Sequence, residues 1–273
     1  LRKVIISVAP VAGPAPVDPD ALSKDVIKCT EAGAAMCHLH VKTREGVLTP
    51  DTSVFVESFE KIAAGCNIVV QASTGGVSKM NIQDRCNPLE YWRVESASLN
   101  GGSCNLGEAV YSNSFDEIRY CAKKVYEHSI IPEFEVFEIG MINNILTVEK
   151  ELPFRKPLLF NLVFGHKGIM QPTIDHLIAF RSFLPKDKDT LWGVTHYGRD
   201  NWEFIAAAIA MGATVVRIGF EDSNWLDEGQ KAEYNYQLVS RLVKLIKAMG
   251  LEPATPEEAR EILRIEPRKA MGM

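Results

Sequence analysis

Ala34-Ala35-Met36-Cys37-His38-Leu39-His40-Val41 is an apolar run that carries two of the chain's six histidines, one residue apart. Read as a strand, its side chains alternate between faces with period two, so His38 and His40 share one face while Cys37, Leu39 and Val41 share the other. Two imidazoles then converge on one point. A buried strand seldom turns two polar rings inward without a partner, which here is either a metal ion or a set of core hydrogen bonds.

Outward from this run the same kind of segment recurs. Residues 4–9 read as a buried strand before it, followed by a Pro/Gly-rich loop over 10–19 and a helix over about 20–32. After it come an amphipathic helix at 51–64, a strand at 67–73 closing in Thr74-Gly75-Gly76, and a weaker strand at 93–99 ending in Asn100-Gly101-Gly102. Ser114 is the expected N-cap of a helix over 114–127. Strands follow at 131–137, 157–164, 190–196 and 214–220, with helices at 173–184 and 202–211 between the later ones. A long amphipathic helix is expected at 230–249, and Thr255-Pro256-Glu257-Glu258 opens the last one with a Thr-to-Glu capping pattern.

Eight strands alternating with helices, without a composition break, predict a (β/α)8 TIM barrel and a single catalytic domain over residues 1–273. An open doubly wound sheet is the rival. No G-x-G-x-x-G follows the first strand and no G-x-x-x-x-G-K-[ST] occurs, which removes the usual nucleotide-binding support for it.

Composition narrows the function classes. A net charge of -5 and a pI of about 5.8 offer no basic stripe for nucleic acid. The six cysteines lack C-x-x-C spacing, which fits a reducing cytoplasm. No apolar stretch approaches the ~18 residues of a membrane span, and no signal-peptide pattern is read at the start.

In a barrel, functional side chains collect where strands end. There the sequence places His38 and His40, Ser73, Ser98 and Asn100, Glu133 and Glu135, His166 and Lys167, His196 and Arg199, then Arg217 with Glu221-Asp222. The last strand lies next-but-one to the histidine strand, so Glu221 is able to complete a set of two imidazoles and one carboxylate with an open position, the pattern of a catalytic zinc. Asp222 is a candidate general base. Arg217 shares the Glu221 face and pairs with a carboxylate ligand, a substrate carboxylate or Asp222, or else serves a buried structural ion pair. Thr74-Gly75-Gly76 offers backbone donors to a carboxylate. Lys167 and Arg199, with His166 and His196, form either a cationic set for an anion or solvated surface charge.

Five segments carry a resemblance: Ala32 to Val41, Gln71-Ala72-Ser73-Thr74-Gly75-Gly76, Pro132 to Phe137, Val216 to Asp222, and Ala254 to Arg260. In order and over nearly the full length, they resemble the β-keto acid cleavage enzymes, whose best-known member type is the 3-keto-5-aminohexanoate cleavage enzyme of lysine fermentation. The resemblance implies a TIM barrel assembled as a homotetramer, with Zn2+ held at His38, His40 and Glu221. It implies conversion of a β-keto acid plus acetyl-CoA to acetoacetate and a new acyl-CoA. It assigns Asp222, Arg217 and Ser73 to catalysis, and Ser73, Gly76, Ser98 and Glu135 to substrate binding.

Departures from the family touch the substrate. Val11-Ala12-Gly13-Pro14 stands where the lysine-fermentation members have Thr-Gly-Ala-Glu, so Pro14 replaces the glutamate that holds a substrate amino group and a different keto acid is expected. The charge in Gly165-His166-Lys167-Gly168 points to an acidic or neutral side chain, and Ser223 replaces a usual asparagine. Two rivals remain at this level. One is an amidohydrolase-type zinc hydrolase, although that class carries its H-x-H on the first strand. The other is a non-catalytic scaffold with a closed four-ligand metal.

Overall fold

Period-two apolar segments need cover on both faces when they pair in parallel, and a closed barrel wrapped in helices supplies it. The computed structural model, which describes residues 1–266, contains this barrel. Its strands are β1 (Lys3–Val8), β2 (Met36–Leu39), β3 (Val69–Ala72), β4 (Ser96–Asn100), β5 (Ile131–Val136), β6 (Leu158–Phe164), β7 (Thr190–His196) and β8 (Val215–Ile218). Each pairs in parallel with the next, and β1 closes on β8 with Ile5 opposite Val215. The expected barrel is thus present. Residues 267–273 of the expected domain lie outside the described residues.

The helices are α1 (Pro19–Ala32), α2 (Ser53–Gly65), the short α3 (Ile82–Arg85), α4 (Phe115–Glu127), α5 (Ile139–Glu151), α6 (Ile174–Phe183), α7 (Glu203–Ala210), α8 (Asn235–Ala248) and α9 (Pro256–Leu263). Their starts follow local chemistry. Ser114 and Thr255 each accept an amide N–H from a glutamate three residues on, whose carboxylate reaches back to the capping residue's own N–H.

Three layers stack inside the barrel. At the N-terminal end Ile5, Met36, Val69, Ile131, Leu159 and Val215 form an apolar cluster with Leu263, so α9 plugs the bottom. In the middle the filling is polar: Gln71 donates to Ser96, and Asn161 donates to Glu133 and Thr195, all buried. These bonds satisfy most of the buried polar atoms, while Glu133 Oε2 is left without a partner. The third layer, at the C-terminal mouth, holds the charged residues. The larger apolar core lies outside the strands, where Phe134 packs on Phe154 and Phe160.

The structure departs from the sequence reading in places. Residues 230–231 belong to a small hairpin with Trp225–Asp227, so the long helix begins only at Asn235. A second hairpin, Cys104–Leu106 with Ala109–Tyr111, leaves the end of β4, and α5 fills the interval between β5 and β6. No helix among the described residues is long and apolar enough to cross a membrane.

His196 at the end of β7 turns outward against Phe204 of α7, its ring edge-to-face at 5.3 Å and its Nδ1 buried without a partner. Burial, with Arg199 nearby, pushes its imidazole down to about 4, whereas the unfolded chain protonates it near ~6.5. Between those values the unfolded state binds more protons, so stability falls as pH drops through this window and the loss is complete below the folded value. Denaturation midpoints are expected to decline from pH 7 to pH 4.5, with a shallower decline in His196→Gln. An equal slope in the variant removes His196 from the account.

Candidate active site

The site begins with the alternation noted in β2. His38 is buried in the strand and His40 lies one residue past its end, and their rings meet edge-to-face with centroids 5.1 Å apart. His38 Nδ1–H donates to Gln71 Oε1 at 2.6 Å across the β2–β3 pair, which fixes the tautomer and leaves the Nε2 lone pair free. Burial, with Arg217 close by, pushes His38 down to about 3, so it is neutral and able to ligate. His40 Nε2 lies 3.0 Å from Glu221 Oε1.

The turn after β8 delivers the acids. Gly219 has φ +136°, and a Cβ there would overlap the Ala9 carbonyl oxygen at the end of β1. Only glycine fits that approach. The turn is tied by Glu221 N–H to Ala9 O at 3.1 Å and by Phe220 N–H to Asn235 Oδ1 at 2.9 Å, while Asn235 also donates to Pro10 O and Asp25.

Arg217 is the hub. Its guanidinium donates to Asp222 through Nε (3.0 Å) and Nη2 (2.9 Å), to Glu221 through Nη2 (2.6 Å) and to Glu135 through Nη1 (3.1 Å). Burial works against its charge, yet the three carboxylates outweigh it and hold the guanidinium protonated. Burial likewise opposes ionisation of Glu221, but Arg217 and His40 hold its carboxyl well below the usual range. One cation serves three acids, however. Burial raises Asp222 despite its bidentate bond, and lifts Glu135 to about 7.

These residues fit a divalent cation on three counts. One ligand atom each from His38, His40 and Glu221 lies within 4.8 Å of the others. The free His38 Nε2 is oriented by a hydrogen-bonded neighbour, as metal-ligating imidazoles are. Finally, Glu135, Glu221 and Asp222 share the single guanidinium of Arg217, so a cation beside them would offset negative charge that Arg217 alone does not balance.

The remaining expected residues fall in different places. Gly75 and Gly76 line the cavity at this mouth, which measures about 130 Å³ and is also lined by Glu135, Arg217, Glu221 and Asp222. Ser73 and Ser98 are buried in the turn behind it: Ser73 Oγ accepts from Gly75 N–H and Ser98 Oγ from Thr74 N–H, each at 3.2 Å. The basic set after β6 and β7 does not converge. Arg199 is buried, stacked 3.7 Å over Trp202 and bonded to Trp225 O, while exposed Lys167 pairs with Glu108. Only His166 reaches the cavity, with its ring stacked on Tyr197 at 3.7 Å.

Sequence reasoning passed over Tyr111, Phe137, Val163 and Thr195 as cavity residues. It noted Asn100 without giving it a role. Both amide atoms of Asn100 are buried without a partner, and the amide nitrogen lies beside the position a Cβ on Gly75 would take. The hairpin that carries Tyr111 has no warning beyond Gly107, whereas Asn100 stood in plain view at a strand end.

Two imidazoles, three carboxylates and a guanidinium thus gather at the C-terminal mouth of a parallel barrel, where barrel enzymes place their active sites. The family model described as beta-keto acid cleavage enzyme matches residues 3–265, and the chain belongs to that family. The 3-keto-5-aminohexanoate cleavage enzyme of Fusobacterium nucleatum is 34% identical over 253 residues, covering 92% of this chain and 91% of its own. The 3,5-dioxohexanoate:acetyl-CoA acetone transferase of Paraburkholderia graminis is 29% identical over 300 residues, covering 97% and 96%. Among solved structures, apo ObcA superposes with a TM-score of 0.73 at 18% identity over 92% of this chain; the chain spans 65% of the ObcA chain, and the likeness is one of fold.

Gly219→Ala is expected to destabilise the protein by roughly 1–3 kcal/mol, because it adds both a forbidden φ and an overlap with Ala9. The same change displaces Glu221 and Asp222. A denaturation curve matching the wild type would show that the turn relaxes freely.

Proposed function

We propose that this chain, acting as a single catalytic domain, is a zinc-dependent enzyme that converts a β-keto acid and acetyl-CoA to acetoacetate and a new acyl-CoA. The carrying observation is the His38–His40–Glu221 donor set beside an Arg217-held Asp222, in a chain of the β-keto acid cleavage family. The bond between the keto carbon and the carboxymethyl carbon breaks. The carboxymethyl carbon bonds to the acetyl carbonyl carbon, and the CoA sulfur takes the remaining acyl group, so the atoms balance without an oxidant or reductant.

Zinc held by His38, His40 and Glu221 supplies Lewis-acid polarisation of the keto group. The chain's own residues do the rest. Asp222 takes a proton from the carbon between the keto and carboxylate groups, which then attacks the acetyl carbonyl and expels the CoA thiolate. The thiolate adds to the keto carbon, the old carbon–carbon bond breaks, and Asp222 returns the proton to the released carbon. Its bidentate bond to Arg217 fixes the carboxylate plane for that task. Glu135, lifted to about 7, is poised to hold or release a proton at the opposite side of Arg217. Ser73 and Ser98 hold the Thr74–Gly76 turn; the Gly75 and Gly76 N–H groups donate to Ser73 Oγ and Tyr111 Oη and so are not the carboxylate donors the sequence suggested, while the unpartnered Asn100 amide lies beside them. Burial of this layer strengthens each interaction by excluding water.

The amidohydrolase reading draws no support from the site, because His166 lies outside the donor cluster and the histidine pair is on β2. The setting we propose is a homotetramer in a reducing cytoplasm; all six cysteines are free, and α6 exposes Ile174, Ile178 and Phe183.

Acetoacetate formation from β-keto acids is expected to require acetyl-CoA, and its absence across neutral, acidic and cationic side chains would sink the assignment. Asp222→Asn is expected to lower kcat by roughly 10²–10⁴ with bound zinc unchanged; full turnover there removes its role as base. Gln71→Ala, which frees the His38 ring, is expected to weaken zinc binding by about 10–100-fold in chelator competition. Unchanged affinity would mean that His38 is held by the strand alone.

A further inference from the structure

The cavity is lined by two unlike sets of residues. One set comprises His38, His40 and the charged residues of the Arg217 cluster; the other comprises Leu106, Tyr111, Phe137 and Val163, with Tyr111 packed on Phe137. The apolar set draws Leu106 and Tyr111 from the hairpin after β4. Gly107 N–H donates to Lys167 O at 2.9 Å, and the backbone of Asn105 lies so close to Gly168 that a side chain there has no space. This contact sets Leu106 over the cavity. Tyr111 packs edge-to-face on Phe137 at 6.0 Å and accepts from Gly76 N–H at 3.1 Å, which engages its hydroxyl and leaves its ring as wall.

Nearby charges are committed elsewhere. Lys167 bonds Glu108 at the hairpin tip at 2.6 Å. Arg85 lies behind Tyr111, 5.4 Å from the ring, and donates to Thr74 O, Ser112 O and Asn113 Oδ1. His166, pushed down to about 4 by burial, is neutral. Among the described residues that line the cavity, formal charge therefore belongs to the Arg217 cluster alone.

Size adds a second limit. A dry cavity of ~150 Å³ holds a molecule as large as benzene. At about 130 Å³ the cavity is smaller still, and the 3-oxo acid core alone, with as many non-hydrogen atoms as benzene, fills most of it, which selects against a long side chain.

Building on the reaction proposed above, we infer that the Leu106–Tyr111–Phe137–Val163 wall restricts the substrate to β-keto acids with a short, uncharged, apolar side chain. An ammonium or carboxylate group placed there loses its hydration and finds no counter-charge. The positive charge of the Gly165–Gly168 loop does not reach the side-chain end, because Lys167 faces the hairpin. The substrate is thus neutral rather than acidic at that end.

The test is a matched series with the zinc-loaded enzyme and acetyl-CoA: 3-oxopentanoate, 3-oxohexanoate, 3-oxoadipate and 5-amino-3-oxohexanoate. The neutral acids are expected to exceed the charged ones in kcat/KM by roughly 100-fold or more; a charged acid that matches them overturns the inference. Calorimetric binding of 3-hydroxypentanoate against 3-hydroxyadipate gives a readout without turnover. Selective binding of the neutral analogue with every keto acid silent refutes the proposed reaction and leaves the side-chain inference standing, whereas equal binding refutes the inference. Leu106→Arg is expected to shift preference toward 3-oxoadipate by about 10-fold or more, as a cation at that position must if Leu106 faces the side chain. Lys167→Ala is expected to leave the neutral-to-acidic ratio within about twofold, and selective loss of 3-oxoadipate use in that variant overturns the inference.

Discussion

A single guanidinium, buried at the mouth of the barrel and shared among Glu135, Glu221 and Asp222, is the interaction on which the rest of the site depends. Removing an arginine from water is costly, and what offsets the cost is a complete set of charge-assisted bonds. Completing that set demands that β8 present Arg217 inward, that β5 bring Glu135 across the lumen, and that the Gly219 turn fold two consecutive acids back over it. A surplus of negative charge results. In a medium of low effective dielectric, burial opposes that charge and raises Asp222 and Glu135.

The layers beneath make this cluster possible. The α9 plug and the six apolar residues above it close the barrel without help from the mouth, so the upper layer is free to be polar. The middle network of Gln71, Ser96, Glu133, Asn161 and Thr195 grades between them, and one of its members reaches up to set the His38 tautomer. Left-handed backbone that only glycine adopts freely also belongs to the mouth. Gly219 takes positive φ two residues before Glu221, and Gly76 does so in the cavity wall.

Much of the fold was legible because parallel strands buried on both faces read as short apolar runs, and those runs punctuate the chain at intervals that a helix fills. Capping chemistry at Ser114 and Thr255 was legible for a similar reason: it is local. The hairpin after β4 was not, since its strands are three residues long and partly exposed, with no periodicity to detect. Helix α5 escaped because the turn-like Asn143-Asn144 pair sits within it. Arg199 and Lys167 are near neighbours of strand ends and looked equivalent. Arg199 is bonded to Trp225 O and Lys167 reaches outward to Glu108, a distinction made by partners 26 and 59 positions away in sequence.

By itself the sequence determined the barrel, the facing of His38 and His40, and the family, because alternation, strand spacing and ordered motifs are properties of the chain read locally. It also placed Glu221 and Asp222 at the end of the last strand. Only the tertiary structure decided that Arg217 bridges three carboxylates, that Ser73 and Ser98 brace a turn, and that apolar residues line part of the cavity. Those facts depend on barrel closure, which sets residues more than 80 positions apart, such as Glu135 and Arg217, within 3.1 Å of each other. No local pattern encodes such a distance; it follows from strand register and from the turns that aim each side chain once the sheet has closed.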